Sequence, residues 1–207
     1  MPTQKRFHRN VIAMVYDFDG TLSPQSMQNY TVLPKIGMNP TDFWRHVERE
    51  AKATQSDKML VYMRLILEEA AEKKVRITKE DFKKLASKIK FFPGVEDWFE
   101  QMNDFVKTVG KHKIAIKHYV ISGGNKEILD GVKMARHFER IYASEYHFDH
   151  NGVAVFPKIL ITDTTKTQFL FRINKGKEDV SETINDHMPE DERPIPFSNM
   201  IYISAHN

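Results

Sequence analysis

The chain has 207 residues, 41% of them hydrophobic and 29% charged, with a formal net charge of +3. That is the balance of a globular protein with room for a sizeable core and an inserted subdomain. The weak positive charge without a Lys/Arg block argues against a nucleic-acid partner, and the lack of a long apolar span argues against a membrane one. With no cysteine, disulfides and thiolate metal sites are excluded. The start, Met1-Pro2-Thr3-Gln4-Lys5-Arg6, has no apolar leader region, so a cytoplasmic location is expected.

Val11 to Tyr16 is a mostly apolar run without Gly or Pro, which predicts a strand buried on both faces. It ends in Asp17-Phe18-Asp19-Gly20-Thr21. Residues two apart on a strand project the same way, so Asp17 and Asp19 share one crevice if the chain stays extended; a turn at Gly20 would re-aim the second. Two like charges this close call for a cation or a shared proton. A hard divalent ion such as Mg²⁺ takes oxygen ligands and keeps waters that a substrate phosphate can replace.

Helical patterns follow. Asn39-Pro40 is a start signal ahead of Phe43, Trp44 and Val47. From Asp57 a second helix is expected to bury Leu60, Met63, Leu67 and Ala70. Thr78 with Asp81 resembles a capping box before Phe82, Leu85, Ala86 and Ile89. These stripes read as packing, and together predict a helical insert over residues 22–90, with 1–21 and 91–207 forming the core.

Phe92-Pro93-Gly94 marks the return. A helix with Val95, Trp98, Phe99, Met102 and Val106 on one side leads to a strand over Ile114 to Ile121, then Ser122-Gly123-Gly124-Asn125. A hydroxyl before a Gly-rich helix start suits an anion nest, or else caps a helix. A helix through Ile128, Leu129, Val132 and Ala135 is expected, then a strand over Arg140 to Tyr146 and a hairpin at Asn151-Gly152. His147, Asp149 and His150 flank that turn, but alternation divides the histidines between faces, which disfavours a metal site. Thr165 and Gln168 match a capping box for a helix ending at Asn174-Lys175-Gly176. Lys166 lies in its first turn, where the helix dipole disfavours a cation, so another group is expected to hold it. Residues 176–196 read as a solvated helix or loop, and Asn199 to Ile203 as a last strand.

The run Asp17-Phe18-Asp19-Gly20-Thr21 resembles the first motif of the haloacid dehalogenase (HAD) superfamily, mostly phosphatases. The phosphoserine-phosphatase-like branch is the most similar. The resemblance implies an α/β fold, a doubly wound, mostly parallel Rossmann-like sheet with an inserted α-helical cap. It makes Asp17 the nucleophile toward phosphorus and Asp19 the acid and then base. It assigns Thr21, Ser122 and Gly123 to the phosphate, and Lys166, over Lys158, Lys175 and Lys177, to the bridge between nucleophile and phosphate. Asp17 and Asp19 would share a Mg²⁺. The chemistry is sound, since carboxylates serve as covalent nucleophiles and a second carboxyl as acid and base. A cap beside the site favours a small phosphorylated metabolite as substrate. Neither substrate identity nor oligomeric state follows.

The family's fourth motif is an acidic run after the last strand, where this chain reads Ser204-Ala205 with Ala205 at the expected carboxylate position. A weakened metal site and impaired phosphatase activity are expected. The alternative is a non-catalytic phosphate-binding or regulatory relic, or a truncated product. Dehalogenation is disfavoured because it has no use for a leaving-group acid such as Asp19.

Overall fold

A computed structural model describes residues 10–205. The readings of Met1 to Arg6 and of the residues after Ala205 lie outside them. The apolar run forms β1 (Val11–Tyr16), an interior strand of a five-stranded sheet. Its parallel neighbours are β2 (Ala115–Asn125) and β5 (Met200–Ile203). Outward from β2 lie β3 (Phe138–Phe148), parallel, and β4 (Ala154–Ile159), antiparallel, giving the order β4-β3-β2-β1-β5. The architecture is the expected mostly parallel α/β sheet.

Alternation along β1 builds both faces. Met14 and Tyr16 enter one apolar core, Ala13 and Val15 the other. The second core is closed by α8 (Lys166–Lys175) through Phe169 and Ile173. The first continues without a break into the helices between β1 and β2: α1 (Met27–Tyr30), α2 (Val32–Lys35), α3 (Pro40–Thr54), α4 (Lys58–Glu72) and α5 (Lys79–Leu85). The start signals act as read. Asn39 accepts from the Asp42 N–H, Asp57 from those of Met59 and Leu60, and Thr78 and Asp81 cap each other reciprocally. Behind β2, α6 (Val95–Val109) buries Phe99 and Val106.

Several expectations need correction. Leu60 is exposed, while Val61, Tyr62, Leu65 and Ile66 are buried with Met63. The buried face of α4 is wider than one stripe because the helix packs on both α3 and the sheet. Strand β2 does not stop at Ser122 but runs to Asn125 with an irregular register against β3, so Ser122 is no helix cap. The helix expected through Ile128 to Ala135 breaks into α7 (Lys126–Leu129) and a 3-10 turn at Lys133–His137. Gly131 sits at the break, where a Cβ would lie 2.5 Å from the Lys83 carbonyl oxygen. The Thr165–Gln168 box does not form, because Thr165 is already helical and its hydroxyl accepts from the Thr162 N–H at 2.8 Å. Residues 176–196 are loop with a 3-10 turn at Glu190–Glu192. Asp149 accepts from the N–H groups of Asn151 and Val153, which shapes the hairpin. Among the described residues no helix is long and apolar enough to cross a membrane.

Candidate active site

The carboxyl ends of β1, β2 and β5 meet where ligands of open α/β sheets bind. The β1 ladder continues one step past the strand, with the Asp17 N–H donating to the Ile203 carbonyl at 2.9 Å. The chain then turns tightly. The N–H groups of Thr21, Leu22 and Ser23 all reach the Phe18 carbonyl, and Gly20 takes φ +81°, which suits glycine. This turn settles the open question about the second carboxylate. Asp19 swings toward the helical side and accepts from the Met27 N–H at 2.8 Å, while Asp17 faces α8.

Lys166 Nζ lies 3.0 Å from Asp17 Oδ2 and 3.6 Å from Asp163. The expected holder of this first-turn lysine is therefore Asp17. Burial alone disfavours the ammonium, but the charge and hydrogen bond of Asp17 outweigh it and raise its pKa. Burial pushes Asp19 up to about 7; the Met27 N–H opposes this, the Asp17 charge adds to it, and Lys166 opposes it. A carboxyl poised there holds a proton at neutral pH and releases it readily.

Asp17, Asp19, Ser122, Gly123 and Lys166 line one cavity of about 360 Å³. Ser122 Oγ accepts from the Gly124 N–H at 3.0 Å, which leaves its own O–H to donate outward. The glycines of this loop are dictated by close approach. A Cβ on Gly123 would meet Met59 Sδ at 3.1 Å, and one on Gly124 would meet Met27 Sδ at 2.7 Å. Thr21 is not part of the lining; its hydroxyl accepts from the Ala205 N–H at 2.9 Å and anchors that segment. Ala205 stands where a carboxylate was expected and brings none, while its neighbour Ser204 places a hydroxyl 3.5 Å from Asp17 Oδ2. Among the described residues no three acidic or histidine side chains gather as a metal cluster. The hard donors here are two carboxylates and a hydroxyl.

The other wall comes from the helical segment and was not legible as site. Gln28, Trp44, Glu48, Lys58 and Tyr62 line it, with Lys58 paired to Glu48 at 2.8 Å. The signal was a lone Trp and Tyr inside apolar stripes, which periodicity assigns to packing.

No family model matches the chain. An uncharacterized protein of Borreliella burgdorferi is 28% identical over an alignment of 222 residues, spanning 94% of this chain and 74% of that protein. Among solved structures, a HAD family hydrolase from Salmonella enterica subsp. enterica serovar Typhi superposes with TM-score 0.62 at 14% identity. The match covers 93% of this chain but only 55% of the Salmonella chain. A phosphoserine phosphatase, solved as an analogue of its phospho-aspartyl intermediate, superposes with TM-score 0.60 at 15% identity, covering 93% of this chain and 77% of that one. The fold is that of the HAD hydrolases. Within the HAD-like sheet, the residues brought together here stand at the carboxyl edge.

Proposed function

We propose that the protein is a Mg²⁺-dependent phosphatase that hydrolyses a small phosphomonoester through an aspartyl-phosphate on Asp17, with residues 22–90 as its cap. The observation that carries this reading is the Asp17–Lys166 contact at 3.0 Å in the cavity that also holds Asp19 and Ser122. Lys166 holds the Asp17 carboxylate in place and offers positive charge to the incoming phosphate. Ser122 donates its hydroxyl to a phosphate oxygen. The Asp17 carboxylate oxygen bonds to phosphorus as the ester P–O bond breaks, and protonated Asp19 gives its proton to the leaving oxygen. Ionised Asp19 then takes a proton from water, whose oxygen bonds to phosphorus and frees Asp17 with release of phosphate. Thr21 keeps the Ser204–Ala205 segment beside Asp17.

Asp17 and Asp19 fit a hard divalent cation, since a crowded carboxylate pair favours one and Ser204 adds an oxygen. Bound Mg²⁺ would supply charge stabilisation for the transferring phosphoryl group. A second reading, a phosphate-binding protein without turnover, is favoured by Ala205, which stands where a third carboxylate is expected.

Turnover of para-nitrophenyl phosphate with Mg²⁺ decides between them. The wild type is expected to turn over, and Asp17→Asn to lose at least about two orders of magnitude in kcat. Equal rates for the two proteins would remove the nucleophile assignment, and no turnover by either would leave the binding reading.

A further inference from the structure

Behind the Ser122–Gly123–Gly124 loop lies a polar layer that the reaction above does not use. Gln28, Tyr62, Asn125, Glu127 and Ser144 are all buried. Gln28 Nε2 donates to Asn125 Oδ1 at 3.2 Å, and the Tyr146 N–H donates to Glu127 Oε1 at 3.1 Å. The Tyr62 hydroxyl, beside Gln28 and Ser144, donates to the Gly123 carbonyl at 2.8 Å. Burying this many polar groups is costly, and Gln28 Oε1 and Asn125 Nδ2 find no partner among the described residues. Departures from full satisfaction of this kind concentrate at functional sites.

The Gly123 carbonyl and the Gly124 N–H belong to one planar peptide unit. Fixing the carbonyl therefore fixes the N–H. That N–H donates to Ser122 Oγ, and thereby decides which way the Ser122 hydroxyl can donate. The peptide lies between two glycines, which impose little on its orientation. Met59 and Met27 press on both Cα positions, so no side chain there can supply the restraint. Tyr62, reaching across from α4, supplies it.

We propose that Tyr62 is a positioning residue for phosphate binding and transfer: its hydroxyl orients the Gly123–Gly124 peptide and through it the Ser122 hydroxyl. The cap thus governs the phosphate loop directly, in addition to enclosing the site. This rests on the phosphatase reading, and the test separates the two.

The test is a double-mutant cycle of Tyr62→Phe and Ser122→Ala, read by turnover of para-nitrophenyl phosphate and by orthophosphate binding in calorimetry. The Phe ring keeps the packing and removes only the hydroxyl. In the wild-type background Tyr62→Phe should weaken both kcat/KM and orthophosphate affinity about tenfold, the scale of one lost hydrogen bond. In the Ser122→Ala background it should change either by less than about twofold, because the group through which it acts is gone. The same factor in both backgrounds, or no effect in the first, overturns the proposal while leaving the phosphatase reading intact. If the wild type turns over no ester but the cycle still shows coupling in orthophosphate affinity, the hydrolytic reading fails and the positioning role stands. Absence of orthophosphate binding overturns both. Should Tyr62→Phe not fold, Tyr62→Leu replaces it, with the same non-additivity expected and additivity again decisive against the proposal.

Discussion

The helices over residues 40–85 and the loop over residues 176–186 are both polar on the outside, yet they are held by opposite means. The helices stand on buried apolar side chains, Phe43, Val47, Met63, Ile66 and Phe82 among them, continuous with one face of the sheet. The loop has no side chain in either core and is gripped by cations from α8 and just beyond it. Arg172 donates to the carbonyls of Lys177, Asp179, Val180 and Glu182. Lys175 reaches those of Ile184 and Asp186, and Lys177 that of Thr183. Apolar burial is non-directional and pools over many residues, whereas carbonyl capping is local and directional. The first should therefore fail globally and the second piecemeal.

The largest effect is expected from Phe82→Ala. Phe82 is fully buried and stacks on Tyr146 at 5.6 Å across the boundary between helices and sheet. Removing a ring there should destabilise the whole protein by about 3–5 kcal/mol, read as a shifted denaturant midpoint. A change confined to α5, with the midpoint unmoved, would mean that the helices and sheet do not unfold as one unit.

Acid probes the apolar side of the comparison through a buried histidine. His118 is buried in the apolar region against Phe99, and its Nδ1 lies 2.9 Å from the Tyr16 hydroxyl. Burial, with His137 nearby, lowers its pKa from 6.5 to about 4. The unfolded chain therefore takes up the proton first as pH falls. Stability from this group is whole above about 6.5 and is lost progressively down to about 4, by on the order of 3 kcal/mol in full. Glu127 acts with the opposite sign, since burial raises it to about 7 and stability falls as pH climbs toward that value. The two windows overlap, so unfolding free energies from pH 4 to 8 should fall more steeply with rising pH in His118→Gln than in the wild type, where the histidine opposes Glu127. Parallel curves for variant and wild type would show that His118 does not titrate between the folded and unfolded states.

The same division explains what the sequence could disclose. Apolar periodicity and capping side chains are written in residue identities, so β1, the Asn39, Asp57 and Thr78 starts and the carboxylate pair could all be read. Lys166 was found because a cation in the first turn of a helix needs a reason, and Asp17 is that reason. Contacts made to backbone leave no such mark. The Tyr62 hydroxyl acts on a carbonyl, and so does Arg172, while Thr165 looked like a cap until Thr162 claimed its hydroxyl. Leu60 fits the helical stripe as well as Met63 does. Only the second surface packing on α4 decides that Tyr62 goes in and Leu60 stays out.

The smallest effect belongs to Arg172→Met, which keeps the aliphatic stem and removes the fork. Four carbonyls lose a charged donor, but they belong to a loop that water can reach. The loss should be about 2 kcal/mol in the free energy of opening residues 177–182, the scale of a hydrogen bond to a charged group. Native-state hydrogen exchange should show those amides exchanging faster while the amides of β1 and β2 keep their protection. Arg172→Lys should restore little, because a single ammonium cannot span carbonyls that the guanidinium serves from two nitrogens. If instead Arg172→Met lowers the protection of β1 and β2 by as much as that of the loop, the clasp is part of the global fold. The loop would then stand on the same footing as the helices.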